Sequence, residues 1–272
     1  MSGIARVTIE FIPLDNILIP QLTSKVSKTL LLRLLKNARR IIRLVSINEP
    51  YKPLALSMIY HKGRYLYGTK KSNRVIYLKK GNRYSFDVTF LSSELIKEMI
   101  KVIIKEMPET VQPLYDGKVL IHGISVEYKD FDKISINFEN SFKMEFLTPT
   151  QFAVKHVSSI TRFRLFPIPT LIYLSLVRCW NKYAPKHLSF NEEKLVGRVA
   201  VSVFEADWGN LKPVTIIHNK KTVIRGVTGW CIYQIYDEDV QKASQKLLAY
   251  AEYVGVGKSR TLGLGRVKIT IP

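Results

Sequence analysis

The sequence is poor in cysteine and histidine, which limits the chemistry open to it. Its two cysteines, Cys179 and Cys231, form neither a disulfide framework nor a C-x-x-C metal motif. A structural zinc site is therefore not expected, and a reducing compartment is favoured. The five histidines stand singly, without the spacing of metal-binding motifs. We predict no metal site and no cofactor.

Long hydrophobic runs are also missing. The longest mainly apolar stretch, residues 165–177, is interrupted by Pro167 and Pro169 and is too short to span a bilayer. Arg6 and Glu10 interrupt the apolar stretch near the N-terminus, which excludes the core of a signal peptide. We therefore expect a cytoplasmic protein that has no membrane partner.

Acidic residues are scarce relative to basic ones. The chain has 42 Lys+Arg against 22 Asp+Glu, a formal net charge of +20. Such an excess favours a polyanionic partner, and nucleic acid is the leading candidate. The alternatives are a merely basic soluble protein or a membrane-surface binder, although no lipidation or targeting motif supports the latter.

The hydrophobic periodicity predicts an α+β fold of two tandem ferredoxin-like (βαββαβ) domains. In the N-terminal domain, residues 1–130, we predict strands at 5–11, 54–60, 84–91 and 119–128 and helices at 24–38 and 94–107. In the C-terminal domain, residues 131–272, we predict strands at 133–146, 213–217, 222–236 and 266–271 and helices at 170–183, 192–205 and 239–253. The boundary is expected near residues 129–132.

A glycine-rich loop at residues 255–266 precedes the last predicted strand. It contains Gly255, Gly257, Lys258, Ser259, Arg260, Gly263, Gly265 and Arg266. Its Gly-Val-Gly-Lys-Ser run resembles a nucleotide-binding P-loop, but Glu252 stands where that motif requires a glycine. Glycines allow N–H groups to converge on an anion, so we predict that the loop binds a phosphate backbone. The alternative is a loop whose glycines allow close packing.

Two further basic regions are candidate nucleic-acid surfaces. Residues 62–83 carry eight Lys and Arg and no acid, interleaved with tyrosines, and include Lys70, Lys71 and Arg74. The alternative is a mobile basic hairpin that aids solubility. Arg225 lies beside glycines in a predicted strand, where RNA could approach, although a buried strand with a bulge is equally compatible.

The doubled fold, the basic charge and the pattern Gly-x-Gly-(x)5-Gly-x-Gly together resemble the CRISPR repeat-processing endoribonucleases of the RAMP superfamily. Residues 143–152 also resemble that family. The resemblance implies metal-independent cleavage of CRISPR repeat RNA in a precursor transcript to give guide RNAs. It implies that the ribose 2′-hydroxyl attacks the adjacent phosphate and leaves 2′,3′-cyclic phosphate and 5′-hydroxyl ends.

The chain departs from the family pattern at the expected catalytic base. Many members supply a histidine and a tyrosine from the first helix and the segment after it, whereas no histidine precedes His61 here. The chain instead has Lys25 and Lys28 one turn apart on the first predicted helix, and Tyr51 and Lys52 before the second strand. We hypothesise that Lys28 and Lys52 carry the acid–base and electrostatic roles, assisted by Tyr51 and Lys25. The alternative is a solvated helix face, or RNA binding without chemistry.

Two other functions remain open at this point. The missing early histidine favours a non-catalytic RAMP subunit that binds guide RNA in an effector complex. A general RNA-binding protein of ribosomal or tRNA-related type is the other. The sequence also leaves open homodimerisation and the transfer of product RNA to an effector complex.

Overall fold

The computed structural model describes residues 3–46, 51–70, 75–106, 111–155, 161–218 and 222–272. These residues form two compact units. Unit 1 comprises the described residues within Met1–Lys129, Thr215–Ile224 and Thr261–Gly263, and unit 2 comprises those within Asp130–Val214, Arg225–Arg260 and Leu264–Pro272. The division between Lys129 and Asp130 falls within the interval where the sequence predicts a boundary, and two later segments also belong to unit 1.

Unit 1 contains both strands and helices. Its strands are β1 Gly3–Pro13, β2 Ile17–Ile19, β3 Leu54–Leu56, β4 Tyr60–His61, β5 Arg64–Tyr65, β6 Ile76–Leu78, β7 Tyr84–Phe90, β8 Val111–Leu114 and β9 Gly117–Asp130. Its helices are α1 Ser24–Leu34, α2 Arg39–Ser46 and α3 Ser93–Glu106. The helix predicted for residues 24–38 ends at Leu34, and helix α2, which was not predicted, follows it.

The main sheet of unit 1 has the strand order β5-β4-β7-β1-β9-β8, and β3 also pairs with β7. Strands β1 and β7 are antiparallel, with Ile9 opposite Phe86. The apolar residues of β1 are buried while Arg6, Thr8 and Glu10 alternate with them at half-buried positions. The buried face packs on α1 and α3 in one hydrophobic core. This arrangement confirms the ferredoxin-like fold of the first half.

Thr23 shows how α1 is fixed to the strands of its unit. The side chain occupies the N-cap position but makes no capping hydrogen bond. Its hydroxyl donates to the Leu66 carbonyl and accepts from the Ile59 N–H at 3.1 Å. The start of α1 is therefore held by the residues that flank the β4–β5 pair, and so are the lysines on its first two turns.

Unit 2 repeats the βαββαβ order with additions. Its strands are β10 Ser141–Thr150, β11 Phe152–Lys155, β12 Thr161–Arg164, β13 Val203–Ile217, β14 Val223–Ile235 and β15 Val267–Thr270. Its helices are α4 Pro169–Tyr183, α5 Glu192–Ser202 and α6 Glu238–Val254. The last residues of β13 and the first two of β14 lie in segments that group with unit 1. Helix α6 begins at Asp237, whose carboxylate accepts the Val240 N–H, and ends at Gly255 with φ 76°.

The sheet of unit 2 has the order β13-β14-β10-β15. Its core contains the stacked rings of Phe142 and Tyr233, with centroids 5.1 Å apart. Helix α6 packs on β15 and on α4. The second ferredoxin-like arrangement is confirmed as well.

The strand predicted for residues 133–146 is wrong over its first half. A 3-10 turn, Phe131–Lys133, comes first, and the strand begins only at Ser141. The intervening backbone binds α6 instead, because the Ile136 N–H donates to the Gln245 carbonyl at 3.0 Å and the side chain of Gln241 donates to Phe138. Alternating apolar residues therefore do not distinguish a strand from an extended segment that packs on a helix.

Two other elements of unit 2 differ from the prediction. The predicted helix 192–205 ends at Ser202, where Val203 begins a long strand. The antiparallel hairpin of β11 and β12, in which Ala153 lies opposite Phe163, was not predicted. Its strands have only four residues each, too few for a periodic pattern to be recognised.

Candidate functional site

The structure brings Lys28 and Lys52 together in unit 1. Their Nζ atoms donate to the same acceptor, the Val45 carbonyl in the last turn of α2, at 3.5 Å and 3.4 Å. Both side chains are half-buried. The carbonyls that end a helix carry a partial negative charge that stabilises cations. We call Lys28 and Lys52 on this carbonyl the lysine pair. Its geometry argues against the alternative of a solvated helix face.

Lys25, one turn earlier on α1, is directed to a different partner. Its Nζ donates to the backbone carbonyl of His218, which is far away in sequence but belongs to the same unit. Burial, and secondarily the charge of Lys25, lowers the pKa of His218. The buried Nδ1 atom of His218 has no hydrogen-bond partner among the residues that the structure describes. No spacing in the sequence indicates this contact.

Tyr51 precedes Lys52 with a left-handed backbone. Its φ is 50° and its side chain is half-buried. Residues other than glycine rarely adopt this conformation, and they do so mostly where the surroundings impose it. The left-handed conformation of Tyr51 therefore helps to fix the position of Lys52 relative to α2.

Two glycines of the glycine-rich loop allow its backbone to pack closely within unit 2. A Cβ atom on Gly257 would overlap the Gln151 carbonyl, and one on Gly265 would overlap the Val256 carbonyl. Both glycines have positive φ, near 70°. This agrees with the alternative interpretation of the loop, in which the glycines allow close packing.

Several N–H groups near the two ends of the loop already have acceptors within the protein. At least five of them, listed here, donate to protein acceptors: Val256 to Gly265, Gly257 to Ser175, Lys258 to Gln151, Gly265 to Pro149 and Arg266 to Thr148. A phosphate would have to displace these acceptors. The side-chain cations of the loop are better placed for RNA than its backbone.

The cations of the loop differ in exposure. Lys258 is exposed, with its Nζ 4.8 Å from the ring centroid of Phe163, and Ser259 and Arg260 are half-buried. Arg266 is only 3% exposed, and its Nη1 donates to the Tyr253 carbonyl at 2.7 Å, near the end of α6. This placement argues against the RNA contact predicted for Arg266, because a buried guanidinium that is bonded to a helix end supports the loop.

Lys70 and Arg225 are the other predicted RNA-binding residues that the structure describes. Lys70 is exposed, and its N–H donates to the Thr215 carbonyl at 2.8 Å within unit 1. Arg225 is exposed on β14, while Gly226 beside it packs closely on Pro149. The predictions for Lys71 and Arg74 lie outside the described residues.

Metal and membrane features can be stated for the described ranges only. Within them, no group of three or more His, Cys, Asp or Glu residues could hold a metal ion. Cys179 and Cys231 are both free and buried. No helix of the described part is long and apolar enough to cross a membrane.

Solved structures resemble the chain over nearly its full length. The product complex of Cas6 (TTHB231) has a TM-score of 0.75 at 20% identity and covers 99% of this chain and 100% of that one. A structure described as an RAMP protein binding different RNA substrates has a TM-score of 0.61 at 15% identity, with 98% of this chain and 99% of that chain covered. At these identities the likeness shows the shared fold.

Sequence comparisons identify the family. The Cas6 N-terminal domain model matches residues 5–128, and the model of the CRISPR-associated endoribonuclease Cas6 matches residues 144–267. Two curated relatives from Saccharolobus solfataricus, CRISPR-associated endoribonucleases Cas6 1 and Cas6 2, are each 24% identical over 298 aligned residues. The alignments cover 99% of this chain and 97% and 96% of the relatives. The chain belongs to the Cas6 family of CRISPR-associated endoribonucleases.

Proposed function

We propose that this Cas6-family endoribonuclease cleaves precursor CRISPR RNA within its repeats by a metal-independent reaction at the lysine pair. The ribose 2′-hydroxyl loses its proton as its oxygen bonds to the adjacent phosphorus, and the bond from phosphorus to the 5′-oxygen breaks. The leaving 5′-oxygen takes up a proton. The observation that carries the proposal is the convergence of Lys28 and Lys52 on one carbonyl.

The lysine pair suits two of the three roles that this reaction needs. Lysine is ordinarily protonated at neutral pH, so the pair can stabilise negative charge on the pentacovalent phosphorus and donate the proton to the leaving oxygen. Their shared acceptor and half-buried positions restrict both side chains, which keeps two charges near one point before RNA arrives. Tyr51 and Lys25 assist in this proposal by positioning the backbone and adding charge.

His218 is a further candidate for the third role, the acceptance of the 2′-hydroxyl proton. Histidine is already mainly neutral at pH 7, and burial lowers the pKa of His218 further. Its backbone is held by Lys25, which shares α1 with Lys28. A neutral imidazole accepts a proton more readily than an ammonium group can.

The RNA contacts follow from the exposed cations. We propose that Lys258 and Arg260 in the loop, with Lys70 and Arg225, bind the phosphate backbone, and that the loop glycines shape the surface that carries these cations. Lys71 and Arg74 remain predicted contacts. The exposed positions of Lys70, Arg225 and Lys258 support this assignment. We further propose that the enzyme acts in the cytoplasm, as a monomer or a homodimer, and passes its product to an effector complex.

The reaction can be tested with end-labelled repeat RNA in EDTA, beside the same RNA with a 2′-deoxy sugar at the cut site. We expect cleavage of the first RNA and not of the second, with 2′,3′-cyclic phosphate and 5′-hydroxyl ends. Cleavage of the deoxy substrate, or loss of activity in EDTA, would contradict the mechanism. Tight binding without cleavage would instead support a non-catalytic subunit, and equal binding of unrelated RNA would support a general RNA-binding protein.

A further inference from the structure

An exposed aromatic ring lies directly beneath the most exposed cation of the glycine-rich loop. Phe163, on β12, is 47% exposed. The Nζ atom of Lys258 lies 4.8 Å from the centroid of its ring. We call these two side chains the Phe163–Lys258 pair. Both belong to unit 2. An aromatic ring left half open to solvent beside a cation is a common arrangement where nucleic acid binds.

Both members of the pair are held by the scaffold of unit 2. Phe163 lies opposite Ala153 in the β11–β12 hairpin, and the neighbouring Phe152 is buried. On the other side, the Lys258 N–H donates to the Gln151 carbonyl at 2.9 Å. Gly257 allows this approach because it has no side chain to meet that carbonyl. The hairpin and the loop are thus joined at Gln151, and the ring and the backbone of Lys258 are positioned before any ligand binds.

The chemistry of the pair matches one nucleotide. An aromatic face stacks on any nucleobase. The ammonium group of Lys258, which lies over the ring, would move aside as a base stacks there and would pair with the phosphate of the same or the next residue. The net charge of +20 favours RNA over a protein segment as the occupant.

We propose that the Phe163–Lys258 pair is a nucleotide subsite in which an unpaired RNA base stacks on Phe163 while Lys258 binds its phosphate. This proposal rests on the proposed function for the identity of the RNA, but it concerns binding and not cleavage. The subsite places one unpaired base of the repeat beside the glycine-rich loop. Position-specific stacking there fixes which part of the RNA lies along the loop.

The test measures the affinity of the full-length protein for fluorescein-labelled, single-stranded repeat RNA that carries a 2′-deoxy sugar at the cut site. Phe163→Ala should weaken binding about 5- to 150-fold, as expected for the loss of one stacked base, without changing the salt dependence. Phe163→Tyr should bind within about twofold of the parent, because the aromatic face is kept. Lys258→Met should reduce the slope of log K against log salt by about 0.7, the value for one phosphate contact on single-stranded RNA.

Phe204→Ala is the matched control. Phe204 is 49% exposed in the same unit, and its ring contacts Tyr236 at a centroid distance of 6.0 Å. We expect Phe204→Ala to bind RNA with the affinity of the parent. Equal binding by Phe163→Ala and the parent, or equal weakening by Phe163→Ala and Phe204→Ala, would overturn the subsite.

A second measurement begins with the unaltered protein, so its first result does not depend on the folding of a variant. Single bases of the repeat RNA are replaced in turn by 2-aminopurine, whose fluorescence is quenched by stacking. We expect one unpaired position to be quenched on binding, and Phe163→Leu to relieve that quenching. The absence of any such position contradicts the subsite. Failure of the parent protein to cleave repeat RNA, with stacking intact, would contradict only the proposed function.

Discussion

The lysine pair of unit 1 and the glycine-rich loop, most of which belongs to unit 2, use polar groups in opposite ways. In the lysine pair, two side-chain cations share one backbone carbonyl and remain partly open to solvent. In the loop, at least five backbone N–H groups donate to protein acceptors, and Arg266 is buried against the end of α6. The loop presents charge mainly through Lys258.

The two regions show that the spacing of lysines and the spacing of glycines indicate different properties of the structure. The spacing of the lysines corresponds to a cluster of charges at one place. The spacing of the glycines corresponds to close backbone packing, since Gly257 and Gly265 leave no room for a Cβ atom. A glycine-rich loop therefore needs its side-chain cations examined separately before phosphate binding is assigned to its backbone.

Removal of either member of the lysine pair should have the strongest consequence. Lys28→Ala and Lys52→Ala are each expected to slow cleavage of repeat RNA by about 100- to 10,000-fold, because each removes a general acid or a stabilising charge. Lys36→Ala is the matched control, since Lys36 follows α1 and is exposed. Single-turnover cleavage with excess protein measures the effect. If both variants bind RNA normally and cleave it at the parental rate, these lysines take no part in the cleavage reaction.

Loss of a loop glycine should destabilise unit 2. We expect Gly257→Ala to lower the free energy of unfolding by about 1–3 kcal/mol, because alanine disfavours positive φ and its Cβ would meet the Gln151 carbonyl. Gly197→Ala, in α5 with open space around the added Cβ, should instead raise it by about 0.5–1 kcal/mol. Urea unfolding compares the two. Equal stability of both variants would show that the loop backbone is not closely packed.

The salt dependence of RNA binding should differ between variants of Lys258, which is exposed, and of Arg266, which is buried. Lys258→Met should lower the slope of log K against log salt by about 0.7, whereas Arg266→Met should leave the slope unchanged. The physical reason is that Arg266 is 3% exposed and bonded to the Tyr253 carbonyl. RNA-binding titrations over a range of salt concentrations measure both slopes. A reduced slope for Arg266→Met would mean that its guanidinium reaches RNA.

Acid should weaken unit 1 slightly through His218. Because its folded pKa is lowered below 6.5, the unfolded chain takes up the proton first as the pH falls. Stability is therefore lost as the pH drops through 6.5 toward the folded pKa, and the loss is small because the ring is partly exposed to solvent. His218→Asn should lose less stability than the parent between about pH 7.5 and pH 5. Identical losses would show that His218 titrates alike in the folded and unfolded states.

Strong local patterns made most of the fold predictable. The alternation in β1 and the helical spacing in α3 and α6 gave these elements within two or three residues. Residues 133–140 were misassigned because their partner is α6, which is remote in sequence. The β11–β12 hairpin was missed because its strands are short and its contacts involve the loop.

The candidate site was predictable only where its members are close in sequence. Lys25 and Lys28 share two turns of α1, and Lys52 was suggested by its position before a strand. The contact of Lys25 with His218 joins residues from distant parts of the chain. The position of Phe163 beneath Lys258 likewise depends on how the hairpin meets the loop. Contacts of this kind follow from tertiary packing, which no local spacing encodes.

The most direct measurement is the single-turnover cleavage rate of the double variant Lys28→Ala/Lys52→Ala on repeat RNA in EDTA, beside both single variants. If the lysine pair acts as one unit, the double variant should cleave within about threefold of the slower single variant and bind RNA normally. A double variant that cleaves at the parental rate would contradict a reaction centred on these lysines.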